Sequence, residues 1–159
     1  TKPLVGHLAA WNYFMSIESD ANSAFIDAWH KYTKDDKRVT NDPMEATYIG
    51  FNMWVQAVEK AGTTDATAVQ DAIIGISVPN LTGGYSAMMP NHHITKPVVI
   101  GEIQDDGQFG VVWETSGLVA GDAWSDYLEG SKDLISDWRA PLSCGSYNVK
   151  TAKCSGQNY

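Results

Sequence analysis

Met44, Tyr48, Phe51, Val55 and Val58 recur at intervals of four, three, four and three, the repeat of one face of an α-helix. Asp42 is placed to cap its start, Pro43 falls at the first helical position, and Glu45 stands at capping-box spacing. Trp54 and Ala61 broaden the stripe and Gly62 ends it, so the pattern predicts a helix buried on more than one side. Upstream, Phe25, Trp29 and Tyr32 follow the capping pair Ser19-Asp20 at helical spacing, until the mixed charges of residues 34–38 mark a solvated loop. Thr64-Asp65 opens a third, short helix through Val69, Ala72 and Ile73, stopped by Gly75.

The rest of the pattern is extended or irregular. Residues 98–103 and 109–113 flank Asp105-Asp106-Gly107 and predict a β-hairpin. Residues 76–97 hold three prolines and a Gly-Gly pair, which predicts irregular chain with one short strand at residues 85–88. His92 and His93, if extended there, send their rings to opposite sides. From Thr115 onward, glycines and Pro141 punctuate short polar pieces, expected as an extended tail over a surface.

Residues 6–16 begin apolar and strand-like, pass through Ala9 and Ala10, and then present Trp11, Asn12 and Tyr13 where regular patterning stops. On an extended segment Trp11 and Tyr13 share one face and Asn12 takes the other. An indole, an amide and a phenol together suit a small polar ligand; the same residues also suit a core strand that ends in aromatic packing.

At 159 residues, with six Trp and seven Tyr, the chain is long enough to bury a sizeable core. The net charge of −8 and the scattering of its eleven basic residues argue against nucleic acid as a partner. No apolar run reaches the length of a membrane-spanning helix, and Thr1-Lys2-Pro3 lacks the charged and apolar regions of a signal peptide.

Cys144 and Cys154 are the two cysteines and sit among turn-forming residues. A disulfide between them would remove roughly 2.5–3 kcal/mol of denatured-state entropy and points to an oxidising compartment. A two-thiol metal half-site lacks CxxC spacing and a nearby histidine. Two free thiols in a cytosolic protein are the remaining alternative.

None of the four histidines has a second ligand at metal-binding spacing, and neither a Gly-x-Ser-x-Gly elbow nor a phosphate loop is present. The expectation is no catalytic residue, no metal and no cofactor.

A resemblance is carried by Gly6-His7-Leu8-Ala9-Ala10-Trp11-Asn12-Tyr13-Phe14 and by Thr40-Asn41-Asp42-Pro43-Met44-Glu45-Ala46-Thr47-Tyr48-Ile49-Gly50-Phe51. Val78-Pro79-Asn80-Leu81-Thr82-Gly83-Gly84, Pro90-Asn91-His92-His93-Ile94-Thr95-Lys96-Pro97 and Gly121-Asp122-Ala123-Trp124-Ser125-Asp126-Tyr127-Leu128 extend it over nearly the whole chain. On these residues the chain resembles the carboxy-terminal part of a periplasmic solute-binding protein of a urea or short-chain amide ABC transporter.

That resemblance implies an α/β chain, part of a type I periplasmic-binding-protein bilobal fold with doubly wound lobes, whose amino-terminal part is missing from this sequence. It implies that residues 1–12 form a strand of the second lobe, 13–91 a first-lobe segment of three helices, 92–97 a crossover, 98–114 a second-lobe hairpin, and 115–159 a carboxy-terminal tail. The implied ligand is urea or a short-chain amide, with Trp11, Asn12 and Tyr13 as contacts and Glu45 as a weaker candidate acceptor. The implied partners are ABC permease subunits and the remaining amino-terminal part of the same protein, in the periplasm. A cytosolic amide-sensing regulator of the same fold is the alternative.

Overall fold

The computed structural model describes residues 2–122, 146–148, 151 and 153–155. After a short 3-10 turn at Lys2–Leu4, the chain runs through β1 (Leu8–Trp11), α1 (Asp20–Thr33), α2 (Asp42–Ala61) and α3 (Ala66–Ile73). It continues through β2 (Ser77–Pro79), β3 (Tyr85–Ala87), β4 (Val99–Ile103) and β5 (Phe109–Glu114). Residues 1–122 form one compact unit. In the second unit, β6 (Ser146–Asn148) pairs with β7 (Lys153–Ser155) as an antiparallel hairpin with Tyr147 opposite Cys154. Cys144 and the side chain of Cys154 lie outside the described residues, and so does most of the expected tail.

All three expected helices form, each with a side-chain cap. Ser19 caps α1 by accepting the Asn22 N–H, and Asp65 caps α3 by accepting the Ala68 N–H. On α2 the expected cap is corrected: Asn41, not Asp42, accepts the Met44 N–H. The Asp42 carboxylate turns instead to the backbone of Asn12, and Glu45 does not close a capping box because it points into the interior.

The buried stripe of α2 is also corrected. Glu45, Ile49, Met53 and Ala57 face inward, while Tyr48, Phe51 and Trp54 are exposed. Ile49, Met53 and Ala57 pack with Val69 of α3, Ile76 and Val78 of β2, which makes the main core. Ala57 sits in that core with Val69 of α3, and the aromatic positions fall on other faces of the helix.

β4 is the centre of a three-stranded antiparallel sheet, with β1 on one side and β5 on the other. Leu8 to Trp11 pair with Glu102 to Val99, and the β4–β5 hairpin has the expected turn, with Gly107 at φ 84°. A register shift at Ile100/Gly101 bends that hairpin. Gly101 has no room for a side chain: a Cβ there would lie 2.6 Å from the Phe14 ring.

The irregular stretch holds more structure than its composition predicts, since Ser77–Pro79 forms a strand paired with Tyr85–Ala87. His92 is not extended; its φ of 60° and the 2.9 Å bond from its N–H to the Met89 carbonyl place it in a tight turn. Lys96 and Val119 exchange two backbone hydrogen bonds, so the segment after β5 is tied to the approach to β4. The chain therefore passes between the sheet and the helices at residues 12–13 and again at residues 96–98.

Candidate functional site

β1 ends at Trp11, and the next residues turn along the base of the helices. The predicted alternation holds there. Trp11 and Tyr13 both line a cavity of about 220 Å³, and Asn12 points away from it. Phe14 and Phe109, stacked at 4.4 Å, form a second part of the lining. Thr40, Asn41 and Asp42, at the entrance to α2, form the third. Trp11 is 44% exposed, at the rim, whereas Tyr13 is almost wholly buried.

The Tyr13 hydroxyl is anchored by 2.7 Å bonds to Asn22 Oδ1 and Thr40 Oγ1. Asn22 in turn donates its amide to the Met15 and Ile17 carbonyls at 3.0 and 2.6 Å, which fixes the loop between β1 and α1. Burial raises the Tyr13 phenol above its ordinary pKa; the Thr40 bond opposes this, the Glu45 charge adds to it, and the Asn22 bond opposes it.

Asn12 binds three other segments. Its N–H donates to Asp42 Oδ1 at 3.1 Å, its Nδ2 to the Pro97 carbonyl at 2.6 Å, and its own carbonyl accepts from Thr82 Oγ1 at 2.8 Å. Glu45 is fully buried and outside the cavity lining. It forms an ion pair with Lys96 and accepts the Leu81 N–H at 3.4 Å. Burial pushes the Glu45 carboxyl above its ordinary range, against the pull of Lys96 and the Leu81 N–H. Lys96 Nζ also lies 3.9 Å from Asp42 Oδ1.

Of the four ligand candidates named from sequence, the structure brings Trp11 and Tyr13 to one cavity and places Asn12 and Glu45 in the framework behind it. Sequence reasoning missed Phe14, Thr40, Asp42, Lys96 and Phe109 in these roles. Lys96 carried a usable signal, as a basic residue among Ile94, Pro97 and Val98. Among the described residues no group of three or more His, Cys, Asp or Glu side chains is arranged to hold a metal ion. No described helix is long and apolar enough to cross a membrane.

The layered helices and sheet, joined by two passages with a cavity beside the first, have the mixed α/β architecture of the type I periplasmic binding fold. The family model for the periplasmic binding protein domain matches residues 1–130, and the chain belongs to that family.

Among solved structures it is similar to an ABC transporter solute-binding protein from Rhodopseudomonas palustris HaA2 in complex with p-hydroxybenzoic acid. That match has 25% identity and a TM-score of 0.57, covering 68% of this chain and 29% of the other. A solute-binding protein from R. palustris BisB5, in complex with 3,4-dihydroxybenzoic acid, shares the fold at 18% identity and TM-score 0.64, with coverages of 75% and 33%. A leucine-binding protein from Thermotoga maritima MSB8 does so at 15% identity and TM-score 0.58, with coverages of 70% and 31%. A curated relative, limonene hydroxylase of Geobacillus stearothermophilus, is 29% identical over 115 residues, 72% of this chain and 21% of that protein. The chain thus spans about a third of the length of these solved relatives and about a fifth of the curated one.

Proposed function

We propose that the chain is part of an extracytoplasmic solute-binding component of an ABC importer, which captures urea or a short-chain amide between two lobes and delivers it to the permease. The observation that carries the reading is the cavity beside the first passage, where Trp11 and Tyr13 meet the entrance to α2. Ligand cavities favour such junctions, because relative movement of the joined parts can open and close them. In this reading β1 and the β4–β5 hairpin belong to one lobe, residues 13–91 to the other, and residues 92–97 cross between them.

Urea offers four N–H donors and one carbonyl on a flat frame, so its site needs acceptors and a donor in a place closed to water. Trp11 covers the flat face or donates its indole N–H. Tyr13 supplies its ring, while Asn12 and Glu45, which lie outside the lining, support it from behind as framework. The facing half of the site would come from further sequence of the same protein. The exposed Phe51 and Trp54 of α2 and Val112 and Trp113 of β5 offer apolar surface for that sequence to cover.

A second ligand class has its own support. Trp11, Phe14 and Phe109 make much of the cavity wall apolar and aromatic, which also suits a benzoate. Equilibrium dialysis of the full-length protein against labelled urea, acetamide and benzoate separates the two. Saturable uptake of an amide supports the first reading, uptake of benzoate alone transfers the site to the second, and uptake of none overturns both ligand readings. The cytosolic amide-sensing regulator is distinguished by the thiols: a Cys144–Cys154 bond in the protein from its native source favours export, and two free thiols favour the cytosol.

A further inference from the structure

The two walls of the cavity are tied together from behind. Asp42 stands on the wall formed by the entrance to α2 and accepts the N–H of Asn12, whose neighbours Trp11 and Tyr13 make another wall. Behind Asp42 lies Lys96, buried, paired with Glu45 and within 3.9 Å of Asp42. Glu45 holds the Leu81 N–H, and Thr82, the next residue, returns to the Asn12 carbonyl. Pro97, next to Lys96, accepts the Asn12 amide. The links run in a closed ring through the exit from β1, the start of α2, the β2–β3 turn and the approach to β4.

We propose that Lys96 and Glu45 are positioning residues for ligand binding, which hold Asp42 against the Asn12 backbone and so fix the separation of the two cavity walls. The inference rests on the ligand-binding reading above. Asp42 and Glu45 are carboxylates near one another at the end of one helix, and without a cation between them they repel. Lys96 reverses that relationship and draws both toward the passage at residues 96–98. Packing alone could also fill this space, since an apolar pair of similar volume often replaces a buried ion pair without loss of stability. Such a pair would exert no pull on Asp42, and this separates a positioning role from a merely structural one.

The test uses the full-length protein with Lys96→Arg, Lys96→Met and the double variant Glu45→Met/Lys96→Met. Two quantities are read: hydrogen exchange of the Asn12 amide without ligand, and affinity for whichever of urea, acetamide and benzoate the wild type binds. In the double variant, Asn12 exchange should quicken and affinity weaken, each at least tenfold, while the melting temperature stays near that of the wild type. Lys96→Arg should restore both toward wild type, and Lys96→Met should lose both along with stability. If the double variant does not fold, Lys96→Gln, which keeps a donor without the charge, should show the same two losses. Unchanged Asn12 exchange overturns the inference whatever the wild type binds. A stable double variant with wild-type affinity overturns the inference alone, and a wild type that binds none of the three ligands overturns the ligand-binding reading as well.

Discussion

The Asn12 side-chain amide donates to the Pro97 carbonyl at 2.6 Å, joining residues eighty-five positions apart at the two passages between sheet and helices. Asn12→Ala removes that donor and leaves a buried carbonyl without it. The expected loss is about 1–3 kcal/mol of stability, measured by guanidinium chloride unfolding; urea is unsuitable as denaturant because it is the proposed ligand. A loss below about 0.5 kcal/mol would show that the carbonyl finds another donor.

Tyr13 separates framework from ligand contact. Tyr13→Phe keeps the ring in the cavity wall but takes the hydroxyl from Asn22 and Thr40, so stability should fall by about 1–2 kcal/mol. Ligand affinity should change less than about threefold, equivalent to under about 0.7 kcal/mol. A tenfold loss of affinity at unchanged stability would place the hydroxyl on the ligand instead.

Gly101→Ala probes the packing behind the Phe14–Phe109 pair that lines the cavity. The new methyl would lie 2.6 Å from the Phe14 ring and 2.9 Å from Phe109 Cβ, so the stacked pair must move. Overpacking of this kind costs about 1–3 kcal/mol. The melting temperature should fall and the near-ultraviolet circular dichroism should change together.

These residues also show how far the sequence could be read. Local rules were enough for the three helices, the hairpin turn at Gly107, and the alternation that places Trp11 and Tyr13 together and Asn12 apart. They failed on α2 because hydrophobic spacing followed the largest residues, Tyr48, Phe51 and Trp54, which are exposed. The true inner stripe begins with a carboxylate, which tolerates burial because Lys96, fifty-one positions away, is its partner. Neither residue signals the other locally. The cap moved from Asp42 to Asn41 for a related reason: adjacent Asn and Asp cap equally well, and a backbone N–H from another segment claimed the aspartate. β2 escaped notice because a three-residue strand containing proline has no periodicity to detect.

Glu45 sets a pH dependence. Its carboxyl pKa is raised in the folded protein above the ordinary 4.5, chiefly by burial, so the folded state holds the proton more tightly than the unfolded state. The contribution to stability is then fully present below about pH 4.5 and is lost as pH rises through the elevated value. Glu45→Gln cannot titrate. The stability of the wild type relative to this variant should decline as pH increases from 4.5, measured by denaturant unfolding at a series of pH values. A relative stability that instead rises over this interval would mean that the Lys96 pairing outweighs burial.

The most direct test of solute capture at this cavity is calorimetric titration of the full-length protein and its Trp11→Ala variant with urea and acetamide. One of the two amides should bind the wild type at a single site, and the variant should bind it at least tenfold more weakly, because the indole closes the rim of the cavity. Equal affinity in the two proteins, or no amide binding to the wild type, would contradict the account.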